Sequence, residues 1–202
     1  MKLVIASNNP KKIEEMRRIL EPMGIETVHP SELGVVSDAD ETGTTFRENA
    51  YIKARDLFDK TGLPAIADDS GLCVDALSGR PGIFSARYGG EDMEYPEKMS
   101  KLLEEIGDIP KESRTARFAC GICCIFSEDD MIETGATCEG WIGFEPVGVG
   151  GFGWDPLLMV DDTRSFAMLT AEEKDEISHR GGALRRFEKE LAEYMKRQRG
   201  NK

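Results

Sequence analysis

The sequence lacks long apolar runs, and it is short of histidine and of positive charge. No stretch approaches the roughly 20 apolar residues that cross a bilayer, which argues against a membrane-spanning protein. Residues 3–6 are apolar but too few for the core of a secretory signal. Lys and Arg number 26 against 38 Asp and Glu, which gives a formal charge of -12. So acidic a chain repels polymeric nucleic acid and anionic membranes, and we expect it to bind neither. Because neither a secretory signal nor a membrane span is visible, we expect a cytoplasmic protein by default.

The sequence contains five cysteines, and an odd number argues against a disulfide framework. Cys120 and Cys123 have the C-x-x-C spacing of a zinc site. Residues 116–126 have the pattern of a β-strand, whose side chains alternate between two faces, so Cys123 is expected to face away from Cys120 and Cys124. No second cysteine pair and no nearby histidine completes a zinc set. The cysteines are therefore predicted to be small buried residues.

Alternating strand and helix signals predict an α/β fold. Three helices begin with residues that can cap free backbone N–H groups. These starts are Asn9-Pro10, Thr45-x-x-Glu48 and Thr170-x-x-Glu173. A hairpin is predicted from strands at 114–127 and 131–139. Together these elements predict one domain over residues 1–202, with a mixed sheet flanked by helices.

A polar segment lies between the first predicted strand and the first predicted helix. It consists of Ser7, Asn8, Asn9, Pro10, Lys11 and Lys12. Helix N-termini present free N–H groups and the positive end of the helix dipole, which suit a phosphate group. The segment is a candidate phosphate site, although a strand–helix turn with surface lysines fits the same residues.

Asp68, Asp69, Ser70 and Gly71 follow the third apolar strand, 64–67, and are predicted to form a loop at its carboxyl end. Open α/β sheets bind their ligands at such ends. Neighbouring carboxylates repel each other, and Mg²⁺ offsets this because it favours a few carboxylates together with water and phosphate oxygens. Glu41 is a candidate second ligand. A turn that merely ends the strand is the alternative.

Residues 148–153 match the dinucleotide-binding pattern G-x-G-x-x-G. An apolar strand follows them where that motif requires a helix, so we reject a dinucleotide site. Phe152 and Trp154 indicate stacking on a nucleobase, or two core aromatics beside a bulge.

A last polar group combines Lys174 with Ser178-His179-Arg180-Gly181. His179 and Arg180 offer planar donors that suit a purine edge or a phosphate. A helix start with solvated basic residues is the alternative.

Seven motifs occur along the chain in an order that is typical of one family. They are Ser7-x-Asn9-x-x-Lys12, Glu41-Thr42-Gly43, Glu48-Asn49-Ala50-x-x-Lys53-Ala54, Asp68-Asp69-Ser70-Gly71-Leu72, Pro81-Gly82-Ile83-Phe84-Ser85-Ala86-Arg87-Tyr88, Gly151-Phe152-Gly153-Trp154-Asp155-Pro156 and Ser178-His179-Arg180-Gly181. On these motifs the chain, from residue 2 to about residue 197, resembles the inosine triphosphate pyrophosphatase (HAM1-like) family.

The resemblance implies an elongated fold of two lobes with a central cleft, usually as a homodimer. It implies Mg²⁺-dependent hydrolysis of the triphosphates of inosine, deoxyinosine and xanthosine to the monophosphate and pyrophosphate, which cleans the nucleotide pool. Asp69 would be the catalytic carboxylate and, with Glu41, a metal ligand, whereas Asp68 is left without a role. The substrate-binding residues implied are Ser7, Asn8, Asn9, Pro10, Lys11, Lys12, Lys53, Ser70, Phe152, Gly153, Trp154, Asp155, Lys174, His179 and Arg180.

Two other functions fit parts of the pattern. A Maf-like pyrophosphatase for modified nucleotides has a related fold, but the combination of His179-Arg180 with Phe152-Gly153-Trp154-Asp155 is not expected there. A nucleotide-binding protein without turnover is the second alternative, and the intact acidic pair with Lys12 argues against it.

Overall fold

The computed structural model describes the backbone of residues 1–200 and the side chains of residues 1–198. Its helices are α1 (Pro10–Leu20), α2 (Phe46–Thr61), α3 (Tyr95–Ile106), α4 (Ala171–Ile177) and α5 (His179–Gly200). Its strands are β1 (Lys2–Ala6), β2 (Glu26–Val28), β3 (Ala65–Val74), β4 (Thr115–Ile125), β5 (Met131–Ile142) and β6 (Leu158–Met159). They form a mixed sheet in the order β2-β1-β3-β4-β5-β6, with β1 parallel to β2 and β3, and β5 antiparallel to β6. The predicted α/β fold is confirmed.

The helix starts follow the predicted caps. Asn9 Oδ1 accepts hydrogen bonds from the backbone N–H groups of Lys11 at 3.0 Å and Lys12 at 3.3 Å. Thr45 and Thr170 each form a reciprocal capping box with the glutamate three residues later. These local bonds satisfy N–H groups for which a helix has no internal acceptor, so α1, α2 and α4 begin where the sequence indicates. Within residues 1–200, no helix is long and apolar enough to cross a membrane.

Strand β3 is longer than predicted, and the loop assigned to residues 68–71 was wrong. The strand runs Ala65–Val74 and contains Asp68, Asp69, Ser70 and Gly71. It lies between β1 and β4, whose backbones supply hydrogen-bonding partners that no local pattern reveals. Neighbouring side chains of a strand point to opposite faces, so the two carboxylates are separated rather than crowded into one turn.

The first of two compact units comprises Met1–Asp69, Cys120–Ala136 and the segment from Arg180 onward. Successive side chains of β1 and β3 point to opposite faces of the sheet, and each face therefore has its own apolar cluster. Leu3, Ile5 and Ile66 pack with residues of α1 and α5. Val4, Ala6, Ala65 and Ala67 pack with residues of α2. The strands are therefore covered on both faces.

The cysteines follow the same alternation. Cys120 and Cys124 lie in the cluster with α1 and α5, whereas Cys123 lies in the cluster with α2. Burial raises the pKa of the Cys120 and Cys123 thiols to about 12. Both thiols lie outside disulfides, and their side chains point to different faces of β4, which confirms the predicted alternation and burial.

The second unit comprises Ser70–Ala119 and Thr137–His179. Its core combines residues from β3, α3, β4 and the segment before β6, among them Leu72, Leu102, Phe118 and Trp154. This core supports the glycine-rich segment that leads into β6.

Candidate active site

The first unit brings the predicted phosphate segment and the acidic pair close together, through the neighbouring strands β1 and β3. β1 and β3 are parallel, and Ala6 at the end of β1 lies opposite Ala67. Residues 7–12 follow Ala6 in the chain and Asp68-Asp69 follow Ala67, so the two segments start side by side. Ligands of open α/β sheets bind beyond the carboxyl ends of strands; residues 7–12 follow such an end, that of β1, whereas Asp68 and Asp69 lie within β3 beside it.

Hydrogen bonds fix the turn between β1 and α1. Ser7 Oγ accepts from the N–H of Asn9 at 3.2 Å. Asn8 Nδ2 donates to the carbonyl of Ser37 at 2.7 Å. Lys12 is half-buried at the start of α1. The exposed members of the segment are Asn8, Pro10 and Lys11.

Asp68 is the centre of a buried ion-pair network on the face of β3 that α1 and α5 cover. Its Oδ2 accepts from Arg180 Nε at 3.2 Å and Nη2 at 3.0 Å, and Lys12 Nζ lies 3.2 Å away. Arg180 also donates to Glu15 through Nη1. Burial acts to raise the pKa of Asp68, but the charges of Arg180 and Lys12 outweigh it and hold the pKa well below its ordinary value. The guanidinium expected at the substrate is thus bound by two carboxylates of the protein.

Asp69 lies on the opposite face of β3, toward α2. Its Oδ1 accepts from Lys53 Nζ and its Oδ2 from Asn49 Nδ2, both at 3.1 Å. Lys53 Nζ lies 2.8 Å from Oε1 of Glu41, so two carboxylates share one ammonium. Burial raises the pKa of Asp69; Lys53 opposes that rise and Glu41 adds to it. Burial acts to lower the pKa of Lys53, but the neighbouring carboxylates outweigh it and raise the pKa, so the ammonium stays charged.

The carboxylates of Asp69 and Glu41 fit a divalent cation. They lie close enough to contact the same ammonium. Among the described residues, no group of three or more His, Cys, Asp or Glu is placed to hold a metal, so water and phosphate oxygens would complete the shell. Phosphoryl-transfer enzymes generally use divalent metals in this way, to bridge and neutralise phosphate oxygens. The donor set therefore suits a metal whose remaining ligands are water molecules, some of which substrate phosphate oxygens replace.

The second unit holds the other predicted constellation. Asp155 Oδ2 accepts from Lys174 Nζ at 2.8 Å and from the N–H of Phe152 at 2.9 Å. Lys174 Nζ also lies 4.6 Å from the centre of the Phe152 ring, a cation–π contact. Gly151 has φ +70°, and a Cβ there would lie 2.1 Å from Asp155 Oδ2, so the turn requires glycine. The structure brings Phe152, Asp155 and Lys174 together as the sequence predicts.

Trp154 occupies the core of the second unit. Its side chain is buried and makes edge contacts with Tyr88 and Tyr95, with ring centres 5.7 and 5.8 Å apart. The indole Nε1 donates to the carbonyl of Ser85 at 3.2 Å. For this residue the geometry matches the core-aromatic alternative, whereas Phe152 is half-buried.

His179 is also buried in the second unit. Its ring centre lies 5.0 Å from that of Phe118 and 6.4 Å from that of Phe166. Two further predicted residues, Ser70 and Gly153, are half-buried. His179 therefore has a packing contact with aromatic rings in addition to any contact with a ligand.

Strand β3 makes a close approach just after Ser70. A Cβ on Gly71 would lie 2.4 Å from both the carbonyl oxygen of Gly82 and Oγ of Ser85. Ser85 Oγ accepts from the N–H of Leu72 at 2.8 Å and donates to the carbonyl of Gly82 at 2.6 Å. The glycine lets this segment lie against the strand, which holds the backbone next to Ser70 in place.

Comparison with known sequences shows the family to which the chain belongs. The sequence model of the Ham1 family matches residues 3–190. The chain belongs to the Ham1 family. A dITP/XTP pyrophosphatase of Escherichia coli K12 is 48% identical, covering 91% of this chain and 94% of that protein. A dITP/XTP pyrophosphatase of Bacillus subtilis 168 is 42% identical, covering 93% of this chain and 96% of that protein.

Solved structures agree with the Ham1 assignment. The structure of the Staphylococcus aureus Ham1 protein has a TM-score of 0.86 and 36% identity, covering 96% of this chain and 100% of that chain. A nucleoside-triphosphatase / dITP/XTP pyrophosphatase from Mycobacterium abscessus has a TM-score of 0.76 and 41% identity, covering 93% of this chain and 98% of that chain. The likeness extends over most of each protein.

Two buried polar residues of this Ham1 protein were not predicted as part of the site. Glu15 binds Arg180, and Asn49 binds Asp69. The signal that could have found them is helical spacing, because residues three or four apart share a helix face. Glu15 follows Lys12 by three residues on α1, and Asn49 precedes Lys53 by four on α2.

Proposed function

We propose that this Ham1 protein is a pyrophosphatase that converts the triphosphates of inosine, deoxyinosine and xanthosine to the monophosphate and pyrophosphate. The observation that carries the proposal is that two neighbouring carboxylates of β3, beside the carboxyl end of β1, each pair with a lysine. The pairs are Asp68–Lys12 and Asp69–Lys53. The two relatives named as dITP/XTP pyrophosphatases support the same substrate class.

Hydrolysis joins a water oxygen to the α-phosphorus and breaks its bond to the oxygen that bridges to the β-phosphate. Asp69 accepts a proton from that water, since each of its oxygens keeps a lone pair beyond the bond it receives from Asn49 or Lys53. Lys12 and Lys53 stabilise the charge that develops on the leaving pyrophosphate. Residues 7–12 and Ser70 orient the triphosphate through hydroxyl, amide and backbone donors.

We propose Mg²⁺ as the metal, held by Asp69 and Glu41. Oxygen donors favour Mg²⁺, and when bound it would neutralise phosphate charge and orient the phosphates. Support comes from the raised pKa of Asp69, to which burial and the neighbouring Glu41 contribute, because a second cation would relieve that repulsion.

The base-binding residues proposed are Phe152, Gly153, Trp154, Asp155, Lys174, His179 and Arg180. Inosine and xanthine carry a 6-oxo group, which accepts hydrogen bonds, where adenine carries a donating amino group. A donor such as Lys174 pairs with the oxo group and leaves the amino group without an acceptor, which discriminates strongly. Trp154 contributes indirectly, since its buried indole holds the neighbouring residues in place.

A product assay tests this function. The protein is incubated with the triphosphates of inosine, xanthosine, adenosine, guanosine and thymidine, with and without Mg²⁺, and pyrophosphate and phosphate are measured separately. Pyrophosphate is expected from the first two alone, and only with Mg²⁺. Preferred turnover of thymidine triphosphate would favour the Maf-like alternative, and binding without product would favour a nucleotide-binding protein.

The resemblance also implies a homodimer, and we include it in the proposal together with the cytoplasmic location expected from the sequence. Light scattering after gel filtration measures the assembly directly. A mass of twice 22.4 kDa is expected, and a monomer mass would contradict it.

A further inference from the structure

Asn49 is a fully buried polar residue on α2. Its exposed fraction is 0%, and its buried neighbours on the helix are Ala50, Ala54 and Leu57. A buried amide is costly unless both of its ends find partners, so the partners show what the residue does.

Both ends of the Asn49 amide are engaged at the site. Oδ1 accepts from the N–H of Gly43 at 2.8 Å, and Nδ2 donates to Asp69 Oδ2 at 3.1 Å. The orientation of the amide follows from these partners, because a backbone N–H can only donate. Asn49 therefore links the strand that carries Asp69 to the segment that carries Glu41, two residues before Gly43.

The close approach of Gly43 strengthens this link. A Cβ on Gly43 would lie 2.7 Å from Asn49 Oδ1 and 2.7 Å from Glu48 Cβ, so only glycine brings this backbone against the amide. On the other side, Asn49 and Lys53 are one helical turn apart, and each holds one oxygen of Asp69. Two donors from one helix thus fix the direction of the Asp69 carboxylate.

We infer that Asn49 is a positioning residue that sets the geometry of both proposed metal-binding carboxylates, Asp69 directly and Glu41 through Gly43. The inference rests on the proposed function and deepens it. Partners that orient metal ligands typically change metal affinity or activity roughly 10–100-fold when they are removed. A merely structural amide would change stability and leave the metal and turnover unaffected.

Two variants and a matched control test the inference. Asn49→Leu removes both hydrogen bonds at similar volume. Asn49→Asp keeps an acceptor for Gly43 but puts a second carboxylate beside Asp69. The control, Thr61→Val at the far end of the same helix, removes the bond that Thr61 Oγ1 donates to the carbonyl of Leu57 and the bond that it accepts from the N–H of Leu63.

The measurements separate positioning from folding. Both Asn49 variants are expected to lose kcat by roughly 10–100-fold with an unchanged KM for inosine triphosphate, and Asn49→Leu to bind Mg²⁺ alone roughly 10–100-fold more weakly by calorimetry. Thr61→Val is expected to retain wild-type kcat and Mg²⁺ affinity. Wild-type values of both in Asn49→Leu, with only a lower Tm, would overturn the inference.

A measurement on the wild type covers the case in which the variants do not fold. The chain has four Asn and one Gln, so its side-chain amide NMR spectrum is simple. The Asn49 amide signals are expected to shift on addition of Mg²⁺, and unshifted signals at saturation would contradict the inference. If the wild type releases no pyrophosphate, the proposed function fails. The NMR shift still shows in that case whether Mg²⁺ binds next to Asn49.

Discussion

The two faces of β3 place neighbouring aspartates in opposite electrostatic surroundings. On the face toward α1 and α5, Asp68 meets a guanidinium and an ammonium, which hold its pKa well below the ordinary value despite burial. On the face toward α2, Asp69 shares one ammonium with Glu41, and burial with that second carboxylate raises its pKa. The difference supports the separate roles proposed above: Asp68 anchors Arg180 and Lys12, and Asp69 is the proposed ligand of a further cation.

The largest effect is expected from Asp69→Asn. Loss of the proposed general base should lower kcat by roughly 10²–10⁴-fold, because the amide cannot accept the proton from water. The fold should persist, since the variant removes a buried charge. Pyrophosphate release and the Tm measure the two properties.

The control for this variant is Asp59→Asn on the surface of α2, where Asp59 pairs with Arg55. It should retain wild-type turnover. Near-normal turnover in Asp69→Asn would show that Asp69 is not the catalytic carboxylate.

Arg180→Met tests the anchoring face. It takes the guanidinium from two buried carboxylates, Asp68 and Glu15, and breaking a buried pair in this way costs about 3–5 kcal/mol of unfolding free energy. Urea unfolding measures the loss. The double variant Asp68→Asn/Arg180→Met should recover part of it, because the largest uncompensated charge is removed. If Arg180→Met were as stable as the wild type, the ion pairs of Asp68 would not stabilise the fold, and the face toward α1 and α5 would have no anchoring role.

Gly71→Ala extends the test along β3. The added Cβ would lie 2.4 Å from the carbonyl of Gly82 and from Oγ of Ser85, so the neighbouring segment must shift. Overpacking of this kind costs about 1–3 kcal/mol. Urea unfolding measures this loss of unfolding free energy. Gly79→Ala is unsuitable as a control, because Gly79 has φ +83°, where any side chain is strained.

A better control for Gly71→Ala is Ser100→Ala on the exposed side of α3, where only a bond to the carbonyl of Pro96 is lost. The two variants should differ clearly in stability. If they unfold at the same urea concentration, the close approach at Gly71 carries no energetic weight.

The smallest effect is stabilisation by the metal. A ligand at ten times its Kd stabilises the folded state by about 1.4 kcal/mol. Mg²⁺ should therefore raise the Tm of the wild type and of Asp59→Asn, but not of Asp69→Asn. The same rise in Asp69→Asn would place the metal elsewhere.

The starts of α1, α2 and α4 could be predicted because each depends on a side chain that bonds its own helix. Asn9, Thr45 and Thr170 all act within three residues. The faces of the cysteines were predictable for a similar reason, since alternation is a local property of a strand.

The strand at residues 68–71 could not be predicted from local signals. Two aspartates, a serine and a glycine have low strand propensity, and pairing with distant chain segments outweighs it. The same limit applies to Glu15, Asn49 and Trp154. A polar or aromatic residue on a regular element has the same sequence signature whether it faces solvent, a core or a buried charge.

Arg180 also imposes an order on biosynthesis. It lies 112 positions after Asp68 and 165 after Glu15, so a growing polypeptide contains both acids long before the guanidinium that neutralises them. Before that point Lys12 is the cation at hand for Asp68, and it offsets only part of the charge of two buried carboxylates, so we expect the surroundings of Asp68 to reach their final form only after α5 has been translated. A truncated translation product that ends before this arginine is expected to leave both carboxylates hydrated, and therefore to be more accessible to proteases than the full chain.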